Sequence, residues 1–312
     1  MDLEDLKVVV VGAGTMGHSI CQVYAQAGYR VSLVDLNSAI LDKALSKITS
    51  NLDVLKEFNM LGGQEIPKIL NRIQFTTDLK KVATKADLIV EAVFERADIK
   101  RDLFVKLDEY CSKDTIFASN TSGLNVFKIA KISHPERLII HHWFAPPHVV
   151  PLVEVVPGRK TSDDVIEFSL RLLKRLGKKP ITLRKFSDYF IVNRIQNAIS
   201  SAVFQLILMK TATPEDIDVA VKHTLGIRLP IVGVVQTLDF TGLDLVYDVV
   251  KNLGTELGFI KEKIDQGHLG VKTSKGIYDY GNRSEEQILR KRDEKYLKLL
   301  NFLWQINAFE PI

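Results

Sequence analysis

Gly12, Gly14 and Gly17 follow the apolar run Val8-Val-Val-Val11 and open a segment whose apolar residues, from Met16 to Ala27, recur at helical spacing. In a strand–turn–helix the first glycine permits the tight turn. The second lets the backbone approach a pyrophosphate, and the third lets the helix pack against the strand. The turn residues Gly12, Gly14, Thr15, Met16 and Gly17 would then hold the phosphates on free N–H groups at the positive end of the helix. A second apolar run ends at Asp35. An acid at about that distance accepts hydrogen bonds from the adenosine ribose and repels a 2′-phosphate, which favours NAD over NADP. Asp35 also has a purely structural reading, as a cap for the helix starting near Ser38.

A nicotinamide enzyme that oxidises an alcohol needs a base for the hydroxyl proton. Histidine is the commonest choice. Of the seven histidines, His141 and His142 close an apolar run just before Trp143-Phe-Ala-Pro-Pro147. Ends of parallel strands are where such folds assemble their sites. One strand later Glu154 is the single acid in Pro151-Leu-Val-Glu-Val-Val156. A carboxylate in a buried strand is costly unless paired, and an imidazole would satisfy it. Such a pair fixes the histidine tautomer. Spacing alone leaves open a structural histidine and an edge-strand glutamate facing water.

The elements that must position these groups alternate short β-branched runs with amphipathic segments, the pattern of βαβ units. Strands are expected at 7–11, 30–34, 73–76, 88–92, 115–118, 138–141, 152–155 and 180–183. Helices are expected at 16–27, 99–111 and from the capping sequence Thr161-Ser-Asp-Asp164 to about Leu176, closed by Gly177. Residues 37–72 read as two helices around Gly62-Gly63 that project from the sheet, since a structureless loop of that length is improbable. Beyond Ser187 the β-branched runs fade. Long helical segments follow at 189–209, 214–225 and 284–304. The expected architecture is α/β, a Rossmann-type mostly parallel sheet with a helical hairpin insertion over 1–186, then a mainly α-helical domain over 187–312.

The 312 residues carry 42 Lys and Arg against 38 Asp and Glu, a net charge of +4 that is too weak for a nucleic-acid binder. Hydrophobic residues make up 46%, enough for a sizeable core. Cys21 and Cys111 form neither a disulfide framework nor a metal-ligand cluster, so no metal is expected. The acidic start and the lack of a run of about 20 apolar residues point to a soluble cytoplasmic protein without a membrane partner.

Along nearly its whole length the chain resembles the 3-hydroxyacyl-CoA dehydrogenase family. The resemblance rests on Ser119-Asn-Thr-Ser122, the segment from His142 to Glu154, Phe190-Ile-Val-Asn-Arg194 and Lys272-Thr-Ser-Lys-Gly-Ile-Tyr278. It implies reversible NAD-dependent oxidation of a short (3S)-3-hydroxyacyl-CoA, a reaction of fatty acid metabolism in other members. Apolar faces at Val232–Val235 and Phe240–Val250 suggest a homodimer joined through the helical domain, with an intradomain core as the alternative. His142 would be the general base and Glu154 its orienting partner. Ser122 would bond the substrate near the reacting oxygen, and Asn193 would reach the site from the helical domain. Glu95, Lys100 and Asn120 would meet the nicotinamide half of NAD. The bland alternatives are a helix cap for Ser122 and a surface amide for Asn193.

Departures concern the substrate. Ala145 replaces a common Asn, and Asn51 and Phe58 stand where acyl-CoA enzymes of the family place a Ser and a Lys. The segment after His142 is also similar to the lambda-crystallin branch, which resembles L-gulonate dehydrogenase. A CoA-free hydroxy acid is therefore the competing substrate, and a non-catalytic NAD-binding structural protein the competing class.

Overall fold

The computed structural model describes residues 3–311. Eight strands form one sheet: β1 (Val8–Val11), β2 (Val31–Val34), β3 (Ile73–Thr76), β4 (Leu88–Glu91), β5 (Ile116–Ser119), β6 (Leu138–Trp143), β7 (Leu152–Pro157) and β8 (Lys179–Thr182). Their order is β3-β2-β1-β4-β5-β6-β7-β8, with only the β6–β7 pair antiparallel. Between β1 and β4 the order reverses. A crevice at the carboxyl ends of those strands is where open α/β sheets take their ligands.

Helices α1 (Gly17–Gln26), α2 (Ser38–Glu57), α3 (Ile66–Leu70), α4 (Leu79–Ala83), α5 (Ala97–Tyr110), α6 (Val126–Ile129) and α7 (Asp163–Arg175) connect the strands. Two apolar clusters cover the two faces of the sheet. Val8, Val10, Ile139 and Val153 belong to one with α1, α2 and α7, and Val9, Val11, Ile140 and Val156 to the other with α4 and α5. The strand pleat accounts for this split, because alternate side chains point to opposite faces.

The two helices expected around Gly62-Gly63 form as α2 and α3, but α2 packs onto the core where an outward projection was expected. Leu41, Ala44, Ile48, Leu52 and Leu55 recur at intervals of three and four along α2, and all five are buried in the first cluster. That stripe pulls the helix onto the core, and α3 has only five residues. The N-cap of α2 is Asn37, whose side chain accepts from the Ala39 N–H, so Asp35 is free of that duty.

By compactness the chain divides into residues 1–199 and 200–312. The sequence texture changes at 186/187, but residues 187–199, including the start of α8 (Val192–Leu208), belong to the first unit. The reason is chemical. Main-chain donors at Ile191 and Val192 are bound by a carboxylate of β7, as described below.

The second unit holds α9 (Pro214–His223), α10 (Leu225–Thr241), α11 (Leu243–Asn252), α12 (Gly258–Asp265) and α13 (Glu285–Gln305). Thr213 and Ser284 cap the first and last of these with their hydroxyl groups. Gly233, at φ +68°, breaks α10. Buried Asp239 accepts from the N–H groups of Ile277 and Tyr278 and from the Tyr280 hydroxyl. The segment 272–278 thus ends in a knot around one carboxylate. Gly276 is required there, because a Cβ would lie 2.3 Å from Asp239 Oδ1.

Candidate active site

Gly12, at φ +99°, turns the chain out of β1 against the exit of β4; a Cβ on it would lie 2.5 Å from the Ala92 carbonyl oxygen. A Cβ on Gly17 would meet the Gly12 oxygen at 1.7 Å. Gly14 differs: nothing lies within 4 Å of the position its Cβ would take. The first and third glycines are thus demanded by protein contacts, while the second borders open space. Among the described residues the N–H groups of Gly14, Thr15, Met16 and Gly17 have no protein acceptor. Open space lined by unpaired donors at a helix start suits a pyrophosphate. Asp35 sits beside it, accepting from the Ala13 N–H at 2.8 Å and the Leu36 N–H at 2.7 Å. These residues fit NAD.

The register of β6 on β7 places His142 directly opposite Glu154. Their side chains meet with His142 Nδ1 2.7 Å from Glu154 Oε2. Both are buried, at 2% and 0% exposure, so the edge-strand reading fails; β8 covers the other side of β7. A carboxylate oxygen only accepts. Nδ1 therefore donates, and neutral His142 keeps its lone pair on Nε2. Among the described residues no group bonds Nε2. The second Glu154 oxygen accepts from the N–H groups of Ile191 and Val192, both at 3.0 Å, at the start of α8. Phe144 and Phe190 flank the imidazole, with ring centroids at 4.5 and 5.1 Å.

Ser122 and Asn193 come together here: Asn193 Nδ2 donates to the Ser122 carbonyl oxygen at 3.1 Å. The capping alternative for Ser122 fails, since Leu124 N–H donates to Thr121 Oγ1 at 2.9 Å. Thr121 makes the turn. The exposed Ser122 hydroxyl is left without a structural bond, which suits a group that must meet substrate.

Glu95, Lys100 and Asn120 are placed differently from one another. Glu95 Oε1 accepts from Thr121 Oγ1 and from the N–H groups of Ser122 and Gly123, so it shapes the loop that presents Ser122. The Thr121 hydroxyl and the Lys100 charge outweigh burial and hold the Glu95 carboxyl below its usual range. Lys100, 1% exposed, lies 2.6 Å from Glu91 and 3.1 Å from Glu95. Its ammonium is enclosed by those two acids rather than presented to a ligand. Asn120 Oδ1 accepts from the Trp143 N–H at 2.9 Å and ties the end of β6 to the loop after β5.

Sequence reading missed Glu91. It is fully buried, binds Lys100, accepts from Ser119 Oγ and faces that serine across the β4–β5 register. The available signal was an acid at the buried end of an apolar strand, followed nine residues later by a lysine that shares a helix face with the apolar Phe104 and Leu107. His141, the other member of the pair, is fully buried on the opposite face of β6, and burial pushes its imidazole down to about 3. It stays neutral and cannot be the base.

Comparison with known proteins adds to this geometry. Residues 7–186 match the family described as 3-hydroxyacyl-CoA dehydrogenase, NAD binding domain, and residues 190–280 match 3-hydroxyacyl-CoA dehydrogenase, C-terminal domain. A 3-hydroxybutyryl-CoA dehydrogenase of Clostridioides difficile is 34% identical, over 88% of this chain and 99% of that one. A 5-formyl-3-hydroxy-2-methylpyridine 4-carboxylate 5-dehydrogenase of Mesorhizobium japonicum is 29% identical, over 95% of this chain and 98% of that one. Among solved structures, the 3-hydroxyacyl-CoA dehydrogenase of Archaeoglobus fulgidus superimposes with a TM-score of 0.80 at 32% identity, covering 96% of this chain and 99% of that one.

Proposed function

The chain belongs to the 3-hydroxyacyl-CoA dehydrogenase family of NAD-dependent oxidoreductases acting on CH–OH groups, and we propose that its substrate is a short (3S)-3-hydroxyacyl-CoA. The observation that carries the assignment of roles is the buried His142–Glu154 pair with an unpaired Nε2. In the oxidation direction His142 Nε2 takes the hydroxyl proton; the turn Gly12–Gly17 and Asp35 would hold NAD, which would supply the hydride acceptor. Glu154 keeps the proton on Nδ1 and stabilises the imidazolium that forms. The Ser122 hydroxyl bonds the substrate oxygen, and Asn193 steadies the loop that carries it. In reduction the same imidazolium returns the proton.

Matches to both parts of the family over 7–186 and 190–280 support the CoA substrate. One observation favours a second reading, a CoA-free hydroxy acid. Asn51 is engaged with Gln22 Oε1 at 2.9 Å, and Phe58 is a 73% exposed apolar ring, so neither supplies the phosphate contacts of a Ser and a Lys. Steady-state kcat/KM for 3-hydroxybutyryl-CoA, 3-hydroxybutyrate and L-gulonate at saturating NAD is expected to rank the thioester first. Clear preference for either free acid overturns the CoA substrate and leaves the base chemistry standing. Repeating the assay with NADP tests Asp35, which is assigned to the ribose; equal use of the two cofactors removes that assignment.

Exposed Val234, Val235, Leu245 and Val249 support a homodimer joined through the helical unit. Sedimentation equilibrium at assay concentrations should give twice the chain mass, and a monomer would rule the dimer out.

A further inference from the structure

The amino ends of β1, β2 and β3 border a second concave feature, at the far end of the strands from Gly12 and Asp35. Lys7, Arg30 and Arg72 each stand one residue before a strand, and the register of Val8 with Val31 and of Val31 with Ile73 sets these cations in one row. Lys81, in the last turn of α4, and Lys85, just beyond it, join them. All five line one cavity of about 660 Å³, and no Asp or Glu lines it.

The floor of the cavity is partly polar. Val8, Val31 and Ile73 belong to the cluster that includes α1 and α2, so the alternate residues Val9, Ser32 and Gln74 point to the other face. There Val9 shares the second cluster with Val82 of the five-residue α4, while Ser32 is half-buried and Gln74 exposed. A parallel strand covered on both faces calls for apolar residues throughout. Ser32 Oγ instead donates to Gln74 Oε1 at 3.4 Å, on a stretch of sheet that the described chain leaves open.

The charge around it is uncompensated. Among the described residues none of the five cations forms an ion pair. Arg72 alone has a side-chain hydrogen bond, to the Ala25 carbonyl oxygen at 3.1 Å. Two acids of the same region serve the main chain: Asp87 accepts from the Lys7 N–H at 2.8 Å, and Asp78 from the Lys81 N–H at 3.0 Å. Like charges gathered around one concavity repel one another and attract a counter-ion. A single carboxylate would leave most of this charge unanswered.

We propose that this cleft is a second small-molecule site, which binds a compound carrying two or more linked phosphates. Its volume falls within the range of about 300 to 1,000 Å³ usual for ligand sites. The ammonium and guanidinium groups donate charge-assisted hydrogen bonds to phosphate oxygens, and Ser32, Asn71 and Gln74 offer neutral partners to the rest of the molecule. The site is separate from the cofactor turn, because a four-residue strand spans about 13 Å and Gly12 and Asp35 follow the carboxyl ends of β1 and β2.

The test is calorimetric titration of the NAD-saturated protein with ATP and with inorganic tripolyphosphate. At least one of them should bind at one equivalent, and Lys81→Gln/Lys85→Gln should raise its Kd by about tenfold. Tighter binding of ATP identifies a nucleotide as the source of the phosphates, and equal or tighter binding of tripolyphosphate identifies phosphate alone. Dehydrogenase turnover should stay native in the variant, so the result does not depend on the His142 chemistry or on its substrate. If the double variant fails to fold, Arg30→Gln on the exposed end of β2 carries the same readout, with an expected rise of about threefold. Absence of binding by both anions overturns the site, and so does an unchanged Kd in the folded variants. Binding that appears only without NAD belongs to the cofactor turn and overturns it as well.

Discussion

Substituting His142 with Asn will lower kcat by about 10²- to 10⁴-fold, the range typical of a lost general acid–base, while NAD still binds. An asparagine in the His142 position can keep a hydrogen bond to Glu154 but offers no group that gains and loses a proton near neutral pH. The glycine turn that meets the cofactor lies on β1 and α1 and shares no hydrogen bond with His142, so titration of the variant with NAD separates the two functions. Glu154→Gln should fall less far, because the amide still orients the ring but no longer stabilises the imidazolium. Pre-steady-state NADH formation in the His142→Asn protein checks the assignment. Native turnover in that folded variant would remove His142 as the base.

Glu91→Ala should destabilise the first unit by about 3 to 5 kcal/mol, the cost of leaving one partner of a buried ion pair behind. Lys100 would keep only Glu95, which is partly exposed, and Ser119 would lose its acceptor. For a unit of this size the loss corresponds to a drop in Tm of about 6 to 20 °C. Adding Lys100→Met should recover much of it, because the stranded charge is replaced by an apolar chain of similar length. Calorimetry on the two variants decides the matter. A Tm for Glu91→Ala within about 2 °C of the parent would mean that water or Glu95 already solvates Lys100.

Much of the site was legible because it depends on local pattern. The apolar runs gave all eight strands, since a sheet buried on both faces requires continuous β-branched residues. Gly12 and Gly17 were readable from spacing, and contact with Ala92 and with the turn itself supplies the physical reason. His142 and Glu154 were readable as types that needed each other. Their direct opposition is a property of the antiparallel β6–β7 register, which no periodicity reports.

Most of the illegible features join distant residues. Glu91 meets Ser119 only because β4 and β5 are neighbours, and Ser19 meets His148 across 129 positions. Asn193 was expected to act from the helical domain, yet it lies in the first unit, where Glu154 holds the start of α8. The apolar stripe of α2 was present in the sequence, but the polar residues around it pointed to an outward projection.

Two histidines in tandem on β6 give that strand two possible phases. Shifted by one residue against β7, it would bring His141 opposite Glu154 and turn His142 into the apolar cluster. Both phases would present an imidazole to the carboxylate, so the dyad alone cannot tell them apart. Discrimination comes from the neighbours. Trp143 N–H must reach Asn120 Oδ1, and the Trp143 indole must fill the core beside Tyr24. The strand is therefore indexed by a tryptophan outside the chemistry. Deletion of Trp143 is then a frameshift in space: it keeps both histidines while handing Glu154 the wrong ring.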